Sequence, residues 1–201
     1  MGVSLTKKGQ SVSLKKGINN VLIGLGWDTS GSRSMYAYDL DASVFLVGSN
    51  GKVRHDGDFV FHANEEHESK SVIHTGDNRT GEGDGDDEQI KVNLDKVPLD
   101  IEKLIITVTI YQGKKKGQNF GQISNAFVRL VDESTGSQEL IYNLTEDCST
   151  ETALVFAELY RTRRGWDFRA LGETYICGLE DLCAKYGVSV EEDEEGKKQN
   201  Q

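Results

Sequence analysis

Short apolar or alternating runs rich in Val, Ile, Phe, Tyr and Thr recur along the chain, separated by clusters of Gly, Asn, Asp and Ser. A period of two places every second side chain on the same face of an extended strand, so each run reads as a half-buried or buried strand. Eleven such segments stand out: residues 11–14, 19–27, 41–48, 58–62, 71–74, 89–94, 102–111, 124–132, 138–144, 151–161 and 165–173. Strands at this spacing, without helical patterns between them, predict a mainly β fold, a β-sandwich of two antiparallel sheets. A short C-terminal helix completes it: in GLEDLCAKYG (178–187), Leu179, Leu182, Cys183 and Tyr186 share a helical face and Gly187 is the stop.

The connections carry their own signals. Asn50-Gly51 is the favoured dipeptide of a two-residue hairpin turn, because both positions tolerate positive φ. Pro98 lies between two apolar runs, where a missing N–H costs nothing. The Lys114–Lys116 run in GKKKGQNFG reads as a solvated hairpin loop or, alternatively, as a docking patch for an acidic partner. One domain is expected over residues 1–189, followed by an acidic tail, 190–201, too charged to pack.

Composition narrows the function classes. With 201 residues, 36% of them hydrophobic, the chain supplies a well-buried core. A net charge of -10 argues against non-specific binding to nucleic acid or to an anionic bilayer. No apolar run approaches the roughly 18 residues that span a membrane, and no leader pattern opens the chain, so direct insertion is not expected and the cytoplasm is the expected location. MGVSLT fits the loose N-myristoylation pattern, which is short enough to arise by chance. Cys148, Cys177 and Cys183 are odd in number and read as reduced, mostly buried thiols. Histidines 55, 62, 67 and 74 match no common zinc spacing. Trp27 and Trp166 each precede an aspartate, too far apart for a propeller repeat, and read as caps on the core. Neither a nucleophile elbow nor a phosphate loop nor a dinucleotide fingerprint appears, so no catalytic site is expected.

One stretch stands apart. In HTGDNRTGEGDGDDEQ (74–89), six acids fall between Asp77 and Glu88 among three glycines, opposed by Arg79 alone. Two carboxylates about 5 Å apart at an effective dielectric near 20 repel by roughly 3 kcal/mol. Six of them either stay extended in water or fold around a cation, and composition leaves both open. A helical EF-hand frame does not fit, since from Asp77 the third and fifth positions are Arg79 and Gly81. Asp28 follows a strong strand, and Asp39 and Asp41 alternate at the start of the next, so acids at strand ends could join such a loop.

Together VLIGLGWD (21–28), DLDAS (39–43), the acidic loop, FGQISNAFVRLVD (120–132), YNLTEDCSTETA (142–153) and ELYRTRRGWDFRALGETY (158–175) resemble the TerD family of bacterial tellurium-resistance and general stress proteins. The resemblance implies a calcium-binding sandwich, usually with two Ca2+ ions and no established enzymatic activity. It also implies work with other Ter proteins, including a membrane-embedded partner, and hence a peripheral position at the inner face of the membrane. Carried over residue by residue, Asp77, Asn78, Asp84, Asp86, Asp87 and Glu88 supply most metal ligands, Asp28, Asp39 and Asp41 complete the set, and the Gly83 carbonyl contributes. Glu146, Asp147 and Glu151 form a further acidic cluster in a family-like motif, with a simple turn as the other reading. Two alternatives stand beside a non-catalytic interaction module: a metal-dependent enzyme acting on an oxyanion or phosphate compound, and a calcium-dependent membrane-associating module.

Overall fold

The structure, a computed structural model, describes residues 2–29, 38–76, 85–143 and 150–189. Twelve strands form among the described residues. They are β1 (Val3–Leu5), β2 (Ser11–Ser13), β3 (Asn20–Thr29), β4 (Leu40–Val47), β5 (Phe59–Val60), β6 (Val72–His74), β7 (Glu88–Asn93), β8 (Lys103–Ile110), β9 (Ile123–Asp132), β10 (Ser137–Asn143), β11 (Ala153–Thr162) and β12 (Gly165–Tyr175). They make two six-stranded sheets, in the orders β1-β10-β9-β3-β7-β6 and β2-β12-β11-β8-β4-β5. The sandwich expected from the alternation is therefore present, with every one of its eleven strands.

The twelfth strand, β1, is the addition. It pairs in parallel with β10 at the sheet edge, Val3 against Leu140 and Leu5 against Tyr142. Only Leu5 of its three residues is buried, so no alternation betrays it in the sequence.

The two sheets face each other across the main core. Val21, Ile23, Leu25 and Trp27 of β3 point inward and meet Leu40, Ala42, Val44 and Leu46 of β4, Leu104 and Ile106 of β8, and Phe156 and Leu159 of β11. Both tryptophans belong to this core, as their positions at strand ends predict. The outer face of the second sheet carries a smaller core, where Phe45, Val47, Ile105 and Val155 are covered by Leu182, Cys183 and Tyr186 of helix α2 (Leu179–Tyr186). Gly187, at φ 83°, stops the helix, and its N–H donates to the Cys183 carbonyl oxygen. A buried side chain of this size contributes roughly 1.5–3 kcal/mol, so the helix is held by its apolar face more than by its own backbone.

Three local expectations change. The lysine run is not a plain loop but a single helical turn, α1 (Gly113–Lys116), entered through Gln112 and left through Gly117, both left-handed. Lysine is a good helix former, and all three cations sit in the last turn beside the carbonyl ends. Asn50-Gly51 does turn the chain, with Gly48 N–H donating to the Lys52 carbonyl at 2.9 Å. The chain then runs through a loop to β5 instead of returning at once as a hairpin. Cys183 is buried, and burial raises its thiol pKa to about 11, whereas Cys177 is exposed. Cys148 and the tail after residue 189 lie outside the described residues.

Candidate functional site

Strand β3 ends in the run GLGWD, and the two glycines explain how acids gather there. Gly24 and Gly26 lie between the inward-facing Ile23, Leu25 and Trp27. A Cβ on Gly24 would stand 2.1 Å from Asp86 Oδ2; one on Gly26 would stand 2.5 Å from the Phe127 ring and 2.8 Å from the Gly85 carbonyl oxygen. A bare strip of strand thus lets the segment 85–87 lie against β3. Asp87 N–H donates to the Leu25 carbonyl at 2.8 Å, and Trp27 N–H donates to Asp87 Oδ2 at 2.9 Å.

The acids divide by what they touch. The Asp86 side chain is wholly buried and accepts from Arg129 Nε at 2.7 Å, Arg129 Nη2 at 3.0 Å and Gln89 Nε2 at 3.1 Å. Arg129 is the β9 partner of Gly24, so Asp86 buttresses the acidic segment against the sheet. Glu88 points into the sandwich, where its Oε2 accepts from Ala42 N–H of the facing sheet and stands 3.5 Å from His74 Nε2. Burial disfavours the charged His74 ring, but Glu88 and the more distant Glu65 outweigh it and raise its pKa above the usual histidine value.

Asp28, exposed, and Asp87, half-buried, form the outer side of this group. Asp28 Oδ2 accepts from Asn125 Nδ2 at 2.7 Å. Asn125 sits at φ 54° where the β3–β9 register shifts between Gly26 and Asp28, a bulge that aims its amide at the carboxylate. Burial pushes the Asp87 carboxyl pKa up, and repulsion from Asp28 and Asp86 adds to it against the Trp27 N–H.

The other expected ligands separate from this pair or lie beyond the description. Asp41 is on the outer side of β4, with its carboxylate 3.6 Å from His62 Nδ1, at a cleft of about 770 Å3 shared with Phe61, Tyr111, Lys114 and Cys177. The carbonyl of Asp39 accepts from Tyr111 N–H at 2.8 Å. Asp77, Asn78, Gly83 and Asp84 lie outside the described residues, as do Glu146 and Asp147. Glu151 Oε2 accepts from the N–H of its neighbour Thr150 at 3.0 Å. Among the described residues no three His, Cys, Asp or Glu side chains are grouped as a metal ion would need. Asn125 and Arg129 were not expected from the sequence, nor was the pairing of His74 with Glu88; the one signal was the asparagine inside a strand-like run, a poor strand former where a bulge falls.

Residues 1–186 match the TerD domain. The chain belongs to the TerD family. It is 53% identical over 192 residues to the tellurium resistance protein TerD of Serratia marcescens, covering 94% of this chain and 99% of that one. It is 46% identical over 193 residues to general stress protein 16U of Bacillus subtilis, covering 94% and 100%. The crystal structure of a TerD homologue from Streptomyces coelicolor A3(2) superposes with a TM-score of 0.66 at 22% identity, covering 84% of this chain and 96% of that one. At that identity the likeness is one of fold, and it places this TerD-family chain on the same sandwich.

Proposed function

We propose that this TerD-family protein serves resistance to tellurium compounds and other chemical stress as a non-catalytic, calcium-binding interaction module. The relatives named for tellurium resistance and general stress support the role. The observation that carries calcium is the crowding of Asp28 against Asp87 at the end of β3, where the Asp87 carboxyl is pushed up by burial and by its neighbours' charges. A hard divalent cation with oxygen ligands relieves such crowding, and the donors here are carboxylates and an amide, the set calcium prefers. Asp28 and Asp87 would hold it together with donors of the loop 77–84, while Asp86 and Glu88 brace the segment. A second ion would call on Asp39 and Asp41. The ordered loop then presents a surface to partner proteins, among them a membrane-embedded Ter protein, from the cytoplasmic side.

Calorimetric titration of the calcium-stripped full chain tests this. Binding in the micromolar to submillimolar range is expected, weakened at least about tenfold by Asp28→Asn with Asp87→Asn. Calcium at 100 times Kd adds about 2.7 kcal/mol to stability, a rise in Tm of roughly 5–10 °C for a chain of this size. An absence of heat at millimolar calcium sinks the proposal.

A further inference from the structure

At the end of the sandwich away from the acidic group, a cleft of about 410 Å3 opens between the loop 14–19, the loop 94–99 and the β11–β12 turn. Lys15, Lys16, Arg161 and Arg164 line it, and among the described residues the only carboxylate in its lining is Asp95. That balance runs against a chain whose net charge is -10. Lys15 pairs with Glu139 at 2.7 Å. No carboxylate of the described residues pairs with Lys16, Arg161 or Arg164.

Arg161 is the fixed point. Its guanidinium lies 4.4 Å over the Trp166 ring, Nε donates to the Ile101 carbonyl at 3.2 Å, and Nη2 donates to the carbonyls of Val97 at 3.0 Å and Pro98 at 3.2 Å. Three carbonyls and an aromatic face therefore hold a half-buried cation in one orientation, yet none of them neutralises it. Burial lowers its pKa, the direction expected of a cation without a counter-charge. Three of the five N–H donors are spent on those carbonyls, so an oxyanion would meet Nη1, on a guanidinium that is already immobilised and loses little entropy when the anion docks. Arg164 and Lys16 flank it with flexible charges, and Leu99, 89% exposed, forms an apolar rim.

We propose that this basal cleft binds a phosphate group, carried either by a small soluble phosphate compound or by a phospholipid headgroup. The ligand's charge would meet Arg161, Arg164 and Lys16, and any apolar portion would lie against Trp166 and Leu99.

Titrating the full chain with pyrophosphate in the presence of EDTA, which removes calcium as an intermediary, tests the soluble source. Binding at or below about 1 mM is expected. Lys16→Gln with Arg164→Gln should weaken it at least about tenfold, whereas Lys114→Gln with Lys115→Gln, at the other end, should leave it within about twofold. Co-sedimentation with phosphatidylglycerol or phosphatidylcholine vesicles, also in EDTA, tests the lipid. Pelleting with phosphatidylglycerol alone, lost in the Lys16/Arg164 variant and competed by pyrophosphate, assigns the headgroup; pyrophosphate binding without pelleting assigns a soluble compound. If neither probe binds, or both double variants weaken binding alike, the cleft is not a phosphate site.

Discussion

Asp58 has no solvent exposure, and its carboxylate accepts from Arg54 N–H at 2.9 Å, Arg54 Nε at 2.8 Å, Arg54 Nη2 at 2.6 Å and His67 Nε2 at 2.9 Å. His67 is equally buried, and its Nδ1 meets Ser69 Oγ at 2.7 Å. Burial alone would raise the Asp58 pKa, but the hydrogen bonds from Arg54 and His67 outweigh it and hold the carboxyl well below the usual carboxylate range. A depressed folded pKa adds stability that is full above the unfolded value near 4 and is lost as pH falls through the folded value. Acid titration of unfolding should show this loss below about pH 4, and Asp58→Asn should remove it while costing about 1.5–3 kcal/mol at neutral pH, because the hydrogen bonds from Arg54 and His67 lose their charged acceptor while Arg54 keeps Asp100 at 3.2 Å. Chemical denaturation of both forms from pH 7 to pH 2 measures it. Nothing in the sequence announced this network: Asp58 opens the expected strand 58–62 and His67 falls in the loop after it, and only folding sets them 2.9 Å apart. By contrast Gly24 and Gly26 were visible as glycines inside an apolar run, the mark of a strand that another segment approaches closely.

Among the elements, most strands were legible because they either alternate, as β12 does, or form continuous buried apolar runs, as β4, β8 and β11 do, and the helix α2 because four apolar residues repeat at helical spacing before a glycine. What stayed hidden has physical reasons. β1 pairs in parallel at an edge and buries a single residue, so it leaves no period to read. The turn α1 depends on the left-handed Gln112 that starts it, a conformation that residue type does not predict. The opposite directions of Asp28 and Asp41 follow from their different sheets, which spacing along the chain does not reveal. The helix α2 makes the clearest test at this scale. Leu182, fully buried against the outer face of the second sheet, is its main anchor, and Leu182→Ala should cost about 2–5 kcal/mol, read as a lower midpoint in urea. The smaller core would loosen while the core between the sheets remains, so tyrosine signals near Tyr186 should change before those of the tryptophans.

Across the described residues, the two ends of the sandwich differ in charge: carboxylates gather where β3 ends and β7 begins, and cations that pair with no described carboxylate where β11 turns into β12. Which acids gather at the first end was readable only in part. Sequence reasoning found the acids but not their division of labour, because Asp86 is consumed by Arg129, 43 positions away, and Glu88 by a backbone amide 46 positions away. That last contact has a mechanical consequence. Asp87 is tied to β3 in one sheet and its neighbour Glu88 reaches Ala42 in the other, so two successive residues grip both halves of the protein like adjacent teeth of a clasp. Tightening the grip at Asp87 should steady the far half as well. Hydrogen exchange of the Ala42 amide is the gauge: calcium should slow it several-fold in the native chain, and Glu88→Ala should sever that response while leaving the exchange of Trp27 still sensitive to the ion. The amide of an alanine that touches no ion would then report, from across the core, whether the acidic end is closed.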